Sequence, residues 1–394
     1  VNKDYPPLPS EIGRALDRIE GGAITWDPVL LRFLRARCFE NLEGRAQFRH
    51  RRQLYRCETQ SALIHELLYP KTDVLGRGLL EPMVDLRSRR MQFTECGSAE
   101  PGETDAGLAF RARCKTYLAS WQVGTIRSLT VEVRACARLL LEQAGLLPPA
   151  RDPEREWACA WLDLAHEAAF QPTVLTRRDQ TARAQMKRRA KRDLETRRKK
   201  MKLSQTDEPA VLTDPDLLWH AGPALELALI APFWVLMNQG MVDEETLRGP
   251  PRDWVRNLIV CSWQLLPPFW LRSRETRYEF RLGTERVPAR VRFLFGPSLL
   301  EGSFDFERTR PMCVAQPSQP ATFEPAWLFG SGATSCPFGP AAIERMGILF
   351  EEILASCRPE IVPGGCGWVA WEDHFPEALT ESLPFHLCPP RYGR

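Results

Sequence analysis

Apolar residues recur three and four positions apart through much of the first 170 residues, the spacing that gives a helix one buried face. Ile12, Leu16 and Ile19 follow the capping residue Ser10, and Gly21-Gly22 ends the run. Asp27-Pro28 is a second helix start, with Val29, Leu30, Phe33, Leu34 and Cys38 on one face. A further helix is predicted over 61–69, stopped by Pro70. Polar, Gly-containing residues 95–107 predict a loop. Helical spacing returns over 126–144 and 154–170.

Two strongly apolar stretches lie at 221–237 and 258–271. Both are shorter than the roughly 20 apolar residues that span a bilayer, so buried core helices are expected. The last third changes character, because 22 of the 33 prolines follow Lys202. Tyr278, Phe280 and Leu282 alternate with polar residues, and a turn over 283–286 leads to a second strand over 287–295. Residues 296–336 have no period, 341–357 form an amphipathic helix, and 367–371 could make one short strand. The fold class expected from this pattern is mainly α. It has a helical N-terminal region, one long basic helix, and a helical C-terminal region with a small β-hairpin and long irregular Pro-rich segments. The expected domains are 1–175, an arm and linker over 176–208, a hydrophobic helical region over 209–271, and a loop-rich mixed region over 272–394.

Charge changes this picture at one place. The net charge is only +3, yet residues 177–202 carry 13 basic and 3 acidic side chains, and the remainder is net negative. The cations are Arg177, Arg178, Arg183, Lys187, Arg188, Arg189, Lys191, Arg192, Arg197, Arg198, Lys199, Lys200 and Lys202. The segment lacks Gly and Pro, and Ala182, Met186, Ala190 and Leu194 give it a thin apolar seam. So slender a seam cannot hold a helix by packing alone, which predicts a polyanionic partner. Arg45, Arg49, His50, Arg51, Arg52 and Arg56 form a second basic cluster, expected on a helix with Phe48 and Tyr55 among them.

Catalytic templates fail one by one. The run from Gly330 to Ser335 superficially resembles a phosphate-cradling loop, but Cys336-Pro337 follows instead of lysine and a helix start, so a surface loop is expected. His65-Glu66 and His166-Glu167 begin like zinc-protease helices, but Tyr69 and Phe170 stand where the second histidine belongs. Cys357, Cys366, His386 and Cys388 lack the paired spacing of a zinc site. His374 after Glu372-Asp373 reads as a solvated acidic turn. The twelve cysteines are scattered without Cys-x-x-Cys, which predicts reduced, buried thiols.

The expectation is therefore a noncatalytic structural subunit of a large ribonucleoprotein, such as a mitochondrial ribosome. The thirteen cations would lie on RNA backbone, the partners would be ribosomal RNA and neighbouring proteins, and no catalytic residue, cofactor or metal is expected. Two alternatives stand beside it: an accessory subunit of an organellar membrane complex of respiratory or ATP synthase type, with 221–237 and 258–271 meeting lipid, and an enzyme whose site the sequence does not display. A start at Val1 is compatible with a removed organellar presequence, which makes a mitochondrial location the expectation and another reducing compartment the alternative.

Overall fold

The structure is a computed structural model. It describes residues 8–20, 28–39, 45–68, 75–77, 105–150, 155–170, 215–237, 272–295, 339–361 and 383–390, together with 185, 188, 192, 196, 255, 256, 258, 259, 262 and 263. The chain divides into two compact units, each assembled from distant stretches. One contains residues 1–83, 234–347 and 368–374, and the other 84–233, 348–367 and 375–394.

The first unit is organised by a five-stranded sheet in the order β1-β2-β8-β5-β3. Its strands are β1 (Arg45–His50), β2 (Gln53–Glu58), β3 (Leu75–Arg77), β5 (Arg272–Thr276) and β8 (Val291–Phe295). The cluster read as a basic helix is thus a β-hairpin. Ala46 and Phe48 point inward while Gln47 and Arg49 are exposed, a two-residue period that the density of arginines conceals. Arg51 turns the hairpin at a φ of 52°, and Phe48 stacks on its cross-strand partner Tyr55 at 5.4 Å. Strand β2 then pairs with β8 in parallel, a partner more than two hundred residues away along the chain.

Both faces of this sheet are covered. Helices α1 (Ser10–Glu20) and α2 (Pro28–Phe39) bury Ile12, Leu16, Leu30, Leu34 and Cys38 against Phe48, Tyr55, Cys57 and Leu294. Helix α3 (Ser61–Leu68) lays Ile64 and Leu67 with Phe293 and Phe295, and with Leu282 and Val287 of the hairpin β6 (Phe280–Leu282) and β7 (Glu285–Val287). Helix α1 starts at Ser10 itself, the residue expected to cap it, and Gly13 N–H donates to Pro9 O at 3.0 Å; α2 starts at Pro28 and α3 at Ser61. At the hairpin's return the Thr276 hydroxyl donates to Pro288 O at 2.9 Å and accepts from Val291 N–H at 2.8 Å.

The second unit holds α4 (Asp105–Leu118), α5 (Leu129–Gln143) and α6 (Arg155–Phe170), with a three-stranded sheet ordered β4-β10-β9. Its strands are β4 (Ile126–Ser128), β9 (Arg358–Ile361) and β10 (Pro384–Cys388). The predicted helix over 126–144 therefore gives its first three residues to a strand, and α4 starts at Asp105 inside the predicted loop. Helix α7 (Pro215–Met237) and helix α8 (Gly339–Ser356) each run from one unit into the other.

The expectation of a mainly α fold is corrected: helices combine with a five-stranded mixed sheet, a three-stranded sheet and a hairpin. Strands of three to six residues are too short to outweigh the helical period around them. The Pro-rich last third, expected to await partners, supplies β5, β8, α8, β9 and β10 to packed layers. The stretch 296–336 and the expected strand over 367–371 lie outside the described residues. Among the described residues no helix is long and apolar enough to cross a membrane. Helix α7 is a core helix, buried at every position from Leu227 to Met237.

Candidate functional site

Helix α7 carries one carboxylate beyond its first turn, Glu226, and that residue is 4% exposed. A charge so deep in an apolar helix requires a partner. His166 of α6 supplies it, with Nδ1 hydrogen-bonded to Glu226 Oε2. The two helices can approach because residue 222 is glycine: a Cβ there would stand 2.5 Å from Leu162 Cδ2. Trp161 and Trp219 pack one turn away with centroids 4.8 Å apart. The sequence reading set His166 aside when the zinc template failed, and nothing in the local pattern ties it to Glu226, sixty residues on.

Helix α8 is held to α4 by a second polar constellation. Arg111 donates through one nitrogen to Glu352 Oε1 at 2.5 Å and through another to Glu351 Oε2 at 2.6 Å. Burial opposes its charge, but the two carboxylates outweigh burial and raise the Arg111 pKa above its ordinary value. Around these groups runs an aromatic cluster. Trp121 lies 6.0 Å from Tyr117, 6.1 Å from Phe385 and 6.5 Å from Phe233, and Phe233 meets Phe350 of α8 at 5.0 Å. Tyr117 donates to Glu132, which also pairs with Arg127 at 3.3 Å.

Of the seven described cysteines, Cys38, Cys57, Cys114, Cys136 and Cys357 are buried, and Cys159 and Cys388 are half-buried. Burial pushes Cys114 and Cys357 up to about 12, and Cys57 and Cys136 are raised well above the ordinary thiol value. For Cys57 the hydrogen bond with Cys38 leads, followed by burial; for Cys136 burial leads. A metal-binding thiolate needs the opposite setting, an electropositive one such as a helix N-terminus. In the sequence Cys336 stands three residues before Gly339, where α8 begins; it and the run from Gly330 to Ser335, weighed as a phosphate loop, lie outside the described residues. Among the described residues no group of His, Cys, Asp and Glu could hold a metal ion. Of the residues weighed for zinc, Cys357, His386 and Cys388 are described, while Cys366 lies outside the described residues, as does His374.

Of the thirteen cations expected to bind RNA, Arg188 and Arg192 are described. Both are helical and exposed, and Arg192 Nε donates to Arg188 O at 3.4 Å. The other eleven lie outside the described residues.

No family model matches the chain, and no curated protein matches it by sequence. Solved structures do. A cytochrome P450 from Thermus thermophilus, CYP175A1, aligns with a TM-score of 0.63 at 16% identity, over 95% of this chain and 97% of that one. PksS, the cytochrome P450 of the bacillaene polyketide synthase of Bacillus subtilis, gives 0.59 at 14% identity over 92% and 97%. A six-coordinated cytochrome P450 from Thermus thermophilus gives 0.59 at 17% identity over 91% and 98%. The chain therefore has the fold of these proteins along nearly its whole length.

This likeness corrects the expectation of a noncatalytic ribosomal subunit, RNA-binding and all-alpha, with ribosomal RNA and ribosomal proteins as partners. That expectation rested chiefly on the cations of 177–202, of which only Arg188 and Arg192 are described. Its lesser supports have partners within the chain: the arginine-rich cluster over 45–56 is a sheet hairpin, and strands from the Pro-rich third pair in both sheets.

Proposed function

We propose that this protein is a haem-thiolate oxidoreductase, with Cys336 as the thiolate that holds the iron and an oxygen-dependent oxidation of an organic substrate as its reaction. One observation carries the reading: in a chain that shares its fold with cytochrome P450s over nine-tenths of its length, a cysteine stands in the sequence three residues before an 18-residue helix. Haem iron bound by a cysteine thiolate receives electron density that favours O–O cleavage.

The chain's own residues fit that donor. The described cysteines are poor competitors, since burial holds Cys114 and Cys357 protonated. Turnover by this chemistry also calls for an electron-donating partner and an organic substrate, which replace RNA in the list of expected partners.

The test is the spectrum of the reduced carbonyl complex of the protein expressed with sufficient haem. The thiolate-type Soret band is expected. Cys336→Ser should abolish it, while Cys96→Ser, Cys261→Ser, Cys313→Ser and Cys366→Ser should each retain it. A wild-type protein that takes up no haem, or a Cys336→Ser variant that keeps the thiolate band, would overturn the proposal.

A further inference from the structure

Helix α2 buries Leu30, Leu34 and Cys38, a stripe spaced four residues apart that brings its last turn onto the five-stranded sheet. There Cys38 meets Cys57 of β2. Strand pairing sets Cys57 in one row with Ala46 of β1 and Leu294 of β8, and residues directly opposite in a sheet share a face. Ala46 carries only a methyl group, which leaves room beside Cys57 for the side chain above it. All four residues belong to one core cluster, and the two thiols are hydrogen-bonded to each other. Both are free and fully buried. Of the cluster's members, only these two can form a covalent bond with each other. Cys136 and Cys388, by contrast, are engaged by Tyr117 and by Glu360 with Arg358.

We infer that Cys38 and Cys57 form a dithiol–disulfide pair, a redox modification site whose oxidation fastens α2 to β2. Sulfurs already in hydrogen-bond contact need only a small approach to reach the disulfide length of about 2.0 Å. The oxidant is a small-molecule disulfide, such as oxidised glutathione, and the pair needs no haem to close. The hydrogen bond from Cys38, burial and the neighbouring Glu58 hold Cys57 protonated, so the seated pair does not attack. Exchange begins when α2 lifts and one thiol gives its proton to water. That thiolate attacks a glutathione sulfur, forms a mixed disulfide and releases one glutathione thiolate. The second protein thiol loses its proton, attacks the protein sulfur and displaces the other glutathione. Two protein thiols and one glutathione disulfide become one protein disulfide and two glutathione thiols, with the protons conserved. The new bond closes the chain from residue 38 to residue 57 into a loop and removes the open states in which α2 has left the sheet.

The experiment equilibrates the folded full chain in glutathione buffers stepped from reduced to oxidised, beside the same chain held unfolded in urea. Samples are quenched with acid, free thiols are alkylated, and digests are read by mass spectrometry. The peptide linked through Cys38 and Cys57 should be at least several-fold more abundant in the folded chain than in the unfolded one. Hydrogen exchange of the α2 amides from Leu34 to Phe39 should slow by about tenfold on oxidation. Cys57→Ser should lose both signals, while Cys114→Ala should keep both. Should Cys57→Ser fail to fold, the reduced and oxidised wild type still decide the matter between them. A folded chain whose Cys38 and Cys57 remain alkylatable at every buffer ratio overturns the inference. So does a link no more abundant in the folded chain than in urea, or a link that leaves α2 exchange unchanged.

Discussion

Cys114 and Cys357 illustrate what burial does to a single thiol. Each is fully buried and has its pKa pushed from 9.0 to about 12, by burial first and by a neighbouring Glu352 or Cys388 second. Below pH 9 both thiols are protonated in the folded and the unfolded chain, and their contribution to stability is complete. Between pH 9 and about 12 the unfolded chain releases protons that the folded chain retains, so stability falls as pH rises. Each thiol contributes up to about 1.4 kcal/mol per pH unit in that window. Urea midpoints followed from neutral pH into the alkaline range should therefore decline less steeply in Cys114→Ala/Cys357→Ala than in wild type. Parallel slopes for the two proteins would contradict this account.

At the scale of elements, α6 and α7 are joined by the His166–Glu226 pair inside otherwise apolar packing. Replacing His166 with leucine strands a carboxylate that is 4% exposed, and a cost of about 3–5 kcal/mol is expected. His166→Leu/Glu226→Leu removes both polar groups and should be less destabilised than His166→Leu alone. Denaturant titration of the three proteins reads the difference, and additive costs would mean that the pair does not act as a unit. This pair also marks where sequence reading stops. Helices α1, α2, α3, α6 and α8 were legible because capping residues, Asp27-Pro28, Pro70 and three-to-four spacing are local signals. The hairpin over 45–58 was not, since arginines fill both its exposed and its buried positions: Arg49 is exposed while Arg56 is buried against Glu58 and Phe293. Strands β9 and β10 escaped for a different reason, being four and five residues long with pairing partners across the chain.

For the whole molecule, the order of strands along the chain bears on how it can fold. Strand β8 sits at the centre of the five-stranded sheet, between β2 and β5, although it lies more than two hundred residues beyond β2. A fragment ending at residue 271 would retain β1, β2 and β3 but lose β5 and β8. That leaves a two-stranded hairpin, marginal by itself, and a third strand without a neighbour. The same fragment would lose α8, β9 and β10, and with them the carboxylates that meet Arg111 and the Phe385 ring beside Trp121. Neither unit can then close its core, since each is built from stretches on both sides of the cut. Residues 1–271 expressed alone should accordingly lack near-ultraviolet circular dichroism and a cooperative urea transition, while the full chain shows both. Long-range pairing of this kind must also be searched for during folding at the cost of closing very long loops, so the full chain should refold slowly compared with helical proteins of similar stability. A cooperative transition in the fragment would mean that the N-terminal helices and hairpin form a core without β8, and that the parallel β2–β8 pairing is not what organises the sheet.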